Sequence, residues 1–205
     1  MNRTLRKLSQ VLGAVGKDYI VDTIQGGFPV CQTMIDVEAA SAASVVASTV
    51  LAAGATTDAT VIADEPDCYR CASVTGNQAS VAGTVIVKGY DWSRQVVTDH
   101  IIASGTATVE GVQPFDEIFE VTLPALVAAA DAISVGVSDK LGVYRPVAGL
   151  DDDSWIALER MATGVGAWAY EATGHTVDSD YGTVKPSGGI VGDDSFKIQF
   201  LTDLF

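Results

Sequence analysis

Histidine is nearly missing from this chain: His100 and His175 are the only two in 205 residues. Without a G-x-S-x-G nucleophile elbow beside them, a Ser-His-Asp hydrolase lacks its usual frame. Cysteine stops at three. The pair in Cys68-Tyr-Arg-Cys71 is at most half a zinc site, because Cys31, His100 and His175 supply no second paired motif. Basic charge is scarce as well, with 12 Lys+Arg against 26 Asp+Glu and a net charge of −14. That balance excludes free-standing nucleic-acid binding, which needs a basic surface to neutralise phosphates. No apolar run approaches the roughly eighteen residues of a membrane-spanning helix. Val11-Leu-Gly-Ala-Val15 is too short for the apolar region of a secretory signal. The expectation is a soluble protein made in the cytoplasm and carried out by lysis.

What charge there is lies unevenly. Arg3, Arg6, Lys7 and Lys17 precede the first carboxylate, Asp18, so a basic opening segment is joined to a strongly acidic remainder. Leu5, Leu8, Leu12 and Val15 fall on one side of a helix, with Arg3, Arg6 and Lys7 off that stripe. So short a helix is marginal alone in water. The stripe must therefore lie on its own domain or on a neighbouring subunit, which makes these seven residues the candidate oligomer contact. Gly26-Gly-Phe-Pro29 ends the region, since two glycines and a proline break any periodic element. The chain thus divides into an N-terminal helical arm, residues 1–35, and a β domain, residues 36–205.

Gly, Ala, Thr and Val dominate that domain, a balance suited to strands and tight turns. Glu38 to Ala53 reads as strand through Val45, Val46, Thr49 and Val50. From Tyr69 the apolar period is near two. Phe115, Phe119, Val121 and Leu123 share one strand face opposite Asp116, Glu120 and Thr122, with Glu117 as an exception on the apolar side. Ile133, Val135 and Val137 alternate with Ala132, Ser134 and Gly136. Phe196, Ile198 and Phe200 alternate with Lys197 and Gln199. One-sided strands of this kind pack as antiparallel sheets face to face, a β-sandwich. Asp151-Asp-Asp-Ser154 ahead of Trp155, Leu158 and Met161 predicts a short helical insertion over 151–162.

Several of these segments also carry a resemblance. Thr84-Val-Ile-Val-Lys-Gly-Tyr90, Gln95-Val-Val-Thr-Asp-His-Ile-Ile102, Pro114-Phe-Asp-Glu-Ile-Phe-Glu-Val-Thr-Leu123 and Ala132-Ile-Ser-Val-Gly-Val137 resemble a β-rich module of tailed-bacteriophage virion structural proteins. In that module a T-V-x-V-x-G strand, a second strand, a K-A-F-like strand ending in L-P and a G-D-K-L-G turn follow one another. Phe115 to Pro124 stands in the third place and Ser138-Asp-Lys-Leu-Gly142 in the fourth. Ser179 to Ser187 and Asp194 to Phe200 resemble the two closing strands. The resemblance implies a non-enzymatic virion structural protein, an Ig-like or jelly-roll-like sandwich that forms homo-oligomers. It implies contact with capsid, portal, neck or tail proteins, as capsid decoration, collar or head–tail connection. No cofactor, membrane or direct nucleic-acid contact is expected of it, and its site of synthesis is the cytoplasm of a bacterial host. The rival reading is a receptor- or glycan-binding module on a tail or fibre.

The remaining motifs have plainer readings beside the chemical ones. Cys31, Cys68 and Cys71 are either buried reduced thiols or candidates for disulfides, one between subunits included. His100, beside Asp99, reads as a solvent-facing strand residue. Gly164-Val-Gly-Ala-Trp-Ala169 matches a dinucleotide glycine pattern loosely, but without a βαβ unit it reads as a turn or strand. Asp178-Ser-Asp-Tyr-Gly begins like a calcium loop and has Gly189 where the Glu is needed. These aspartates, with Asp151 to Asp153, Asp193 and Asp194, read as solvated turn residues. Trp92, Trp155 and Trp168 read as core or interface anchors.

Overall fold

The computed structural model describes residues 27–61, 66–125, 127–143, 157–162, 164–171, 174–178 and 180–203. These residues form fourteen strands: β1 (Gly27–Val37), β2 (Ser41–Val50), β3 (Thr57–Ala59), β4 (Arg70–Gly76), β5 (Ala82–Tyr90), β6 (Val96–Ser104), β7 (Thr108–Phe115), β8 (Glu117–Leu123), β9 (Ala132–Gly142), β10 (Ala157–Met161), β11 (Ala169–Tyr170), β12 (Thr176–Asp178), β13 (Thr183–Lys185) and β14 (Asp194–Asp203). All pairings are antiparallel, as expected for strands with one apolar face. No helix occurs among the described residues.

Three sheets result, ordered β12-β13-β9-β4-β7 with β2 also on β9, β3-β8-β5-β6, and β1-β14-β10-β11. They enclose two apolar clusters. The first unites Val45 and Val46 of β2, Val74 of β4, Val85 and Val87 of β5, Phe115, Val121 and Leu123 with Ile133, Val135 and Val137 of β9. The second unites Met34 and Val37 of β1, Leu158 of β10, Phe196 and Ile198 of β14 and Val184 of β13 with Leu141 and Val143. Each large side chain so enclosed contributes about 1.5–3 kcal/mol relative to solvent exposure. β9 serves both clusters. Its first half pairs with β2 and its last two residues with β13, while β4 lies along its other edge.

Ile133, Val135 and Val137, and Phe196 and Ile198, are buried as the sequence predicts, but Ala132 and Gly136, expected on the open face, are buried as well; the Phe200 side chain lies outside the described ones. Three other expectations need correction. Residues 27–35, assigned to an arm, belong to β1, which pairs from Gly27 opposite Asp203 onward with the C-terminal strand; residues 1–26 lie outside the described residues. The helical insertion is not seen over 157–161, which form β10 between β14 and β11. There the ladders on either side satisfy the backbone donors and acceptors, which outweighs a local helix-start signal; residues 151–156 lie outside the described ones. Phe119, expected inside, is turned out by a one-residue bulge. Lys88 pairs with Glu120 while the next residue, Gly89, pairs with Ile118.

Where β6 passes over to β7, a carboxylate takes the place of a ladder. Buried Asp99 accepts hydrogen bonds from the amides of Val112 at 2.8 Å and Gln113 at 3.1 Å. Gly111 is needed beside it, because a Cβ there would overlap the Asp99 carboxylate. Gly136 is needed where β2 crosses β9, since a Cβ would overlap the Ser41 carbonyl.

Candidate functional site

The expected chemical residues are kept apart. Cys71 is fully enclosed in β4, and burial pushes its thiol well above the ordinary range. Cys68 lies at the border of the second core; burial, seconded by Asp67 and opposed by Arg70, pushes its thiol up to about 12. Thiols raised in this way are poor nucleophiles and poor thiolate ligands. Cys31 is exposed on β1, and all three cysteines are free. His100 stands in solvent on β6, while His175 is buried with neither ring nitrogen hydrogen-bonded among the described residues. No cluster of three or more His, Cys, Asp or Glu suited to a metal occurs among the described residues.

Asp178 and Asp194 act as structural acceptors, and Asp194, expected as a solvated turn residue, is buried instead. Asp178 Oδ1 accepts the amides of Asp180 and Tyr181 and closes its own turn. Asp194 is buried against Arg160, which also reaches Glu171 and the Ser187 carbonyl. Asp139 of the Ser138–Gly142 segment accepts the Ile190 amide at 3.0 Å and holds the loop before β14. Gly164 and Gly166 take positive φ in the β10–β11 turn, as the glycine-rich reading expects. An open hollow of about 350 Å³ is lined by Lys140, Thr176, Val177, Asp178, Thr183 and Lys185. Both lysines are engaged there, Lys140 with the Gly111 carbonyl at 3.0 Å and Lys185 with Glu110 at 2.8 Å.

The feature left over is the outer face of the β3-β8-β5-β6 sheet. Its inner face is Val85, Val87, Ile118 and Val121, all buried. Outward residues of such a sheet are ordinarily polar. Here Val96 on β6 lies opposite Tyr90 on β5, and the bulge sets Phe119 of β8 beside Tyr90 with ring centroids 4.9 Å apart. Val96 is 61% and Phe119 39% exposed. The bulge also requires Gly89, because a Cβ there would overlap the Glu117 carbonyl and the Phe115 ring. Bulges commonly re-aim a side chain at a working surface.

Charges frame the row. Arg94, held at φ 63 in the β5–β6 turn, reaches Glu117 at 2.5 Å and Asp116 at 3.7 Å. Lys88 reaches Glu120 at 2.5 Å. Asp91 accepts the amides of Ser93 and Gln95 and shapes the turn. Four carboxylates thus stand with two cations around a partly exposed apolar row, an arrangement suited to protein contact. One sequence signal pointed here: Glu117 on the predicted apolar face was the mark of a parity change. The expected contact residues Leu5, Leu8, Leu12, Val15, Arg3, Arg6 and Lys7 lie outside the described residues. Comparison with protein-family models, curated proteins and solved structures finds no match to the chain.

Proposed function

We propose that the chain is a non-enzymatic structural subunit of a tailed-phage particle, a β-sandwich that forms homo-oligomers and contacts capsid, portal or neck proteins. The observation that carries the reading is the bulge that turns Phe119 out onto Tyr90. The fold keeps Phe119 exposed beside a half-buried Tyr90, at a position where regular alternation would have buried it. Aromatic side chains within a charged rim are the usual composition of an interface centre. The resemblance of residues 69–205 to virion modules supplies the kind of assembly.

A receptor- or glycan-binding module is the second reading, and the exposed rings favour it too. Tyr90 and Phe119 are inclined 47° to one another. They form a wedge suited to interlocking with apolar side chains more than a flat platform for a sugar ring. The test is to express the protein during particle production and ask whether it sediments with purified particles at a fixed copy number. Recovery of the protein only in the soluble lysate, with glycan binding in solution, would establish the second reading instead.

A further inference from the structure

The Tyr90–Phe119–Val96 row has an apolar centre and an acidic surplus: Asp91, Asp116, Glu117 and Glu120 against Lys88 and Arg94. Residues 1–17 have the complementary character, four basic side chains, no acid and the stripe Leu5, Leu8, Leu12, Val15. The row crosses three strands, about 10 Å. The row and the segment are alike in apolar character and complementary in charge.

Reach bears on which copy supplies the segment. β1 begins at Gly27 and runs toward the junction of the two cores, where Arg70 binds the Glu38 carbonyl just past Val37. The row lies near that junction, since Asp116 follows Phe115, which pairs with Arg70, and donates its amide to the Tyr90 carbonyl. Gly27 is therefore about 33 Å from the junction along the strand. Residues 16–26 span at most about 40 Å. Cis docking would need this linker drawn almost straight back along β1 and then round to the outer face. A neighbouring copy has no such constraint.

We propose that the outer face around Tyr90 and Phe119 is the docking surface for residues 1–17 of a neighbouring copy. The contact is head-to-tail, so repetition generates a ring or a larger symmetric array. This rests on the reading of the chain as an assembling subunit.

The experiment uses full-length chains in a Cys31→Ser background, one carrying Leu12→Cys and a large tag, the other Phe119→Cys. Mixed under mild oxidation, they should form a reductant-sensitive band of summed mass, weaker when salt is raised from about 50 to about 500 mM. Full-length Phe119→Ser should self-associate about tenfold or more weakly in sedimentation velocity. A Leu12→Cys/Phe119→Cys chain that closes only on itself overturns the proposal in favour of cis docking. An oligomer that forms without the cross-link overturns the docking surface and leaves the assembly reading standing. A chain that stays monomeric at every concentration overturns both.

Discussion

Arg70 donates two hydrogen bonds to the carbonyl oxygen of Ser138, at 2.9 Å from Nε and 2.6 Å from Nη2. The pairing of β4 with β9 slips between Arg70↔Leu141 and Ala72↔Val137, so β9 carries extra residues around Ser138. Val137 belongs to the first core and Leu141 to the second. The guanidinium thus satisfies a carbonyl released from the ladder where one core gives way to the other. Its remaining donor, Nη1, reaches the Glu38 carbonyl at 2.9 Å and Asp67 at 2.8 Å.

Arg70→Met should therefore destabilise the protein by about 3–5 kcal/mol, because it strands buried acceptors and removes the partner of Asp67. It should also loosen the coupling between the cores. In urea, tryptophan fluorescence and far-ultraviolet circular dichroism should stop giving coincident transitions. Coincident curves with a loss under about 1 kcal/mol would remove Arg70 from this role.

Asp131 predicts an acid dependence. Shut off from water between the turn at 127–130 and β9, it accepts the Ser80 hydroxyl at 2.5 Å and the Ala128 amide at 2.8 Å. The Ser80 hydrogen bond chiefly, against desolvation and with help from backbone amides, lowers its pKa. A carboxyl depressed in the folded state stabilises above its unfolded value, near 3.9, and loses that contribution as pH falls through the folded value. Thermal melts should show Asp131→Asn less stable than the parent at neutral pH, the gap narrowing below about pH 4. A gap that stays constant to pH 2 would contradict the linkage.

What could be read from sequence was the apolar parity of segments that keep a regular register with a partner, as Ile133, Val135 and Val137 do with β4. Parity fails where a partner strand decides it. Phe119 faces out because β5 sets Lys88 against Glu120 and Gly89 against Ile118, a choice made some thirty residues away. The same bulge removes the anomaly of Glu117, which turns outward to Arg94 while Ile118 goes in. β1 escaped recognition because its partner lies at the other end of the chain. Arg70 was not singled out, since an arginine beside two cysteines carries no local sign that it will be fully enclosed. Apart from the odd parity of Glu117, the sequence carries no sign of the row, because Tyr90, Val96 and Phe119 come together only across three strands.

Two phenylalanines four positions apart should behave oppositely. Phe115 is completely buried in the first core, so Phe115→Ala should cost about 3–5 kcal/mol in chemical denaturation. Phe119 covers only the outer face, so Phe119→Ala should change stability by about 1 kcal/mol or less. Equal losses at the two sites would mean that Phe119 holds the sheet together and is no contact residue.

The thiols give the last prediction. Cys31 is exposed, whereas Cys68 and Cys71 lie in or against the cores with their thiols pushed up by burial. At pH 8 the thiolate is the reactive form, so a thiol raised to about 12 is almost wholly protonated as well as shielded. Folded protein treated with a chromogenic disulfide reagent should titrate one thiol rapidly, and denatured protein three. Any reductant-sensitive dimer on electrophoresis should vanish in Cys31→Ser and persist in Cys71→Ser, since a disulfide needs sulfur atoms that can meet at about 2 Å. Because Cys71 is enclosed among β4 neighbours, its replacement should register as lost stability instead of lost cross-linking. Rapid reaction of two or three thiols in the folded state, or a dimer that survives Cys31→Ser, would show that β4 opens far more readily than its burial implies.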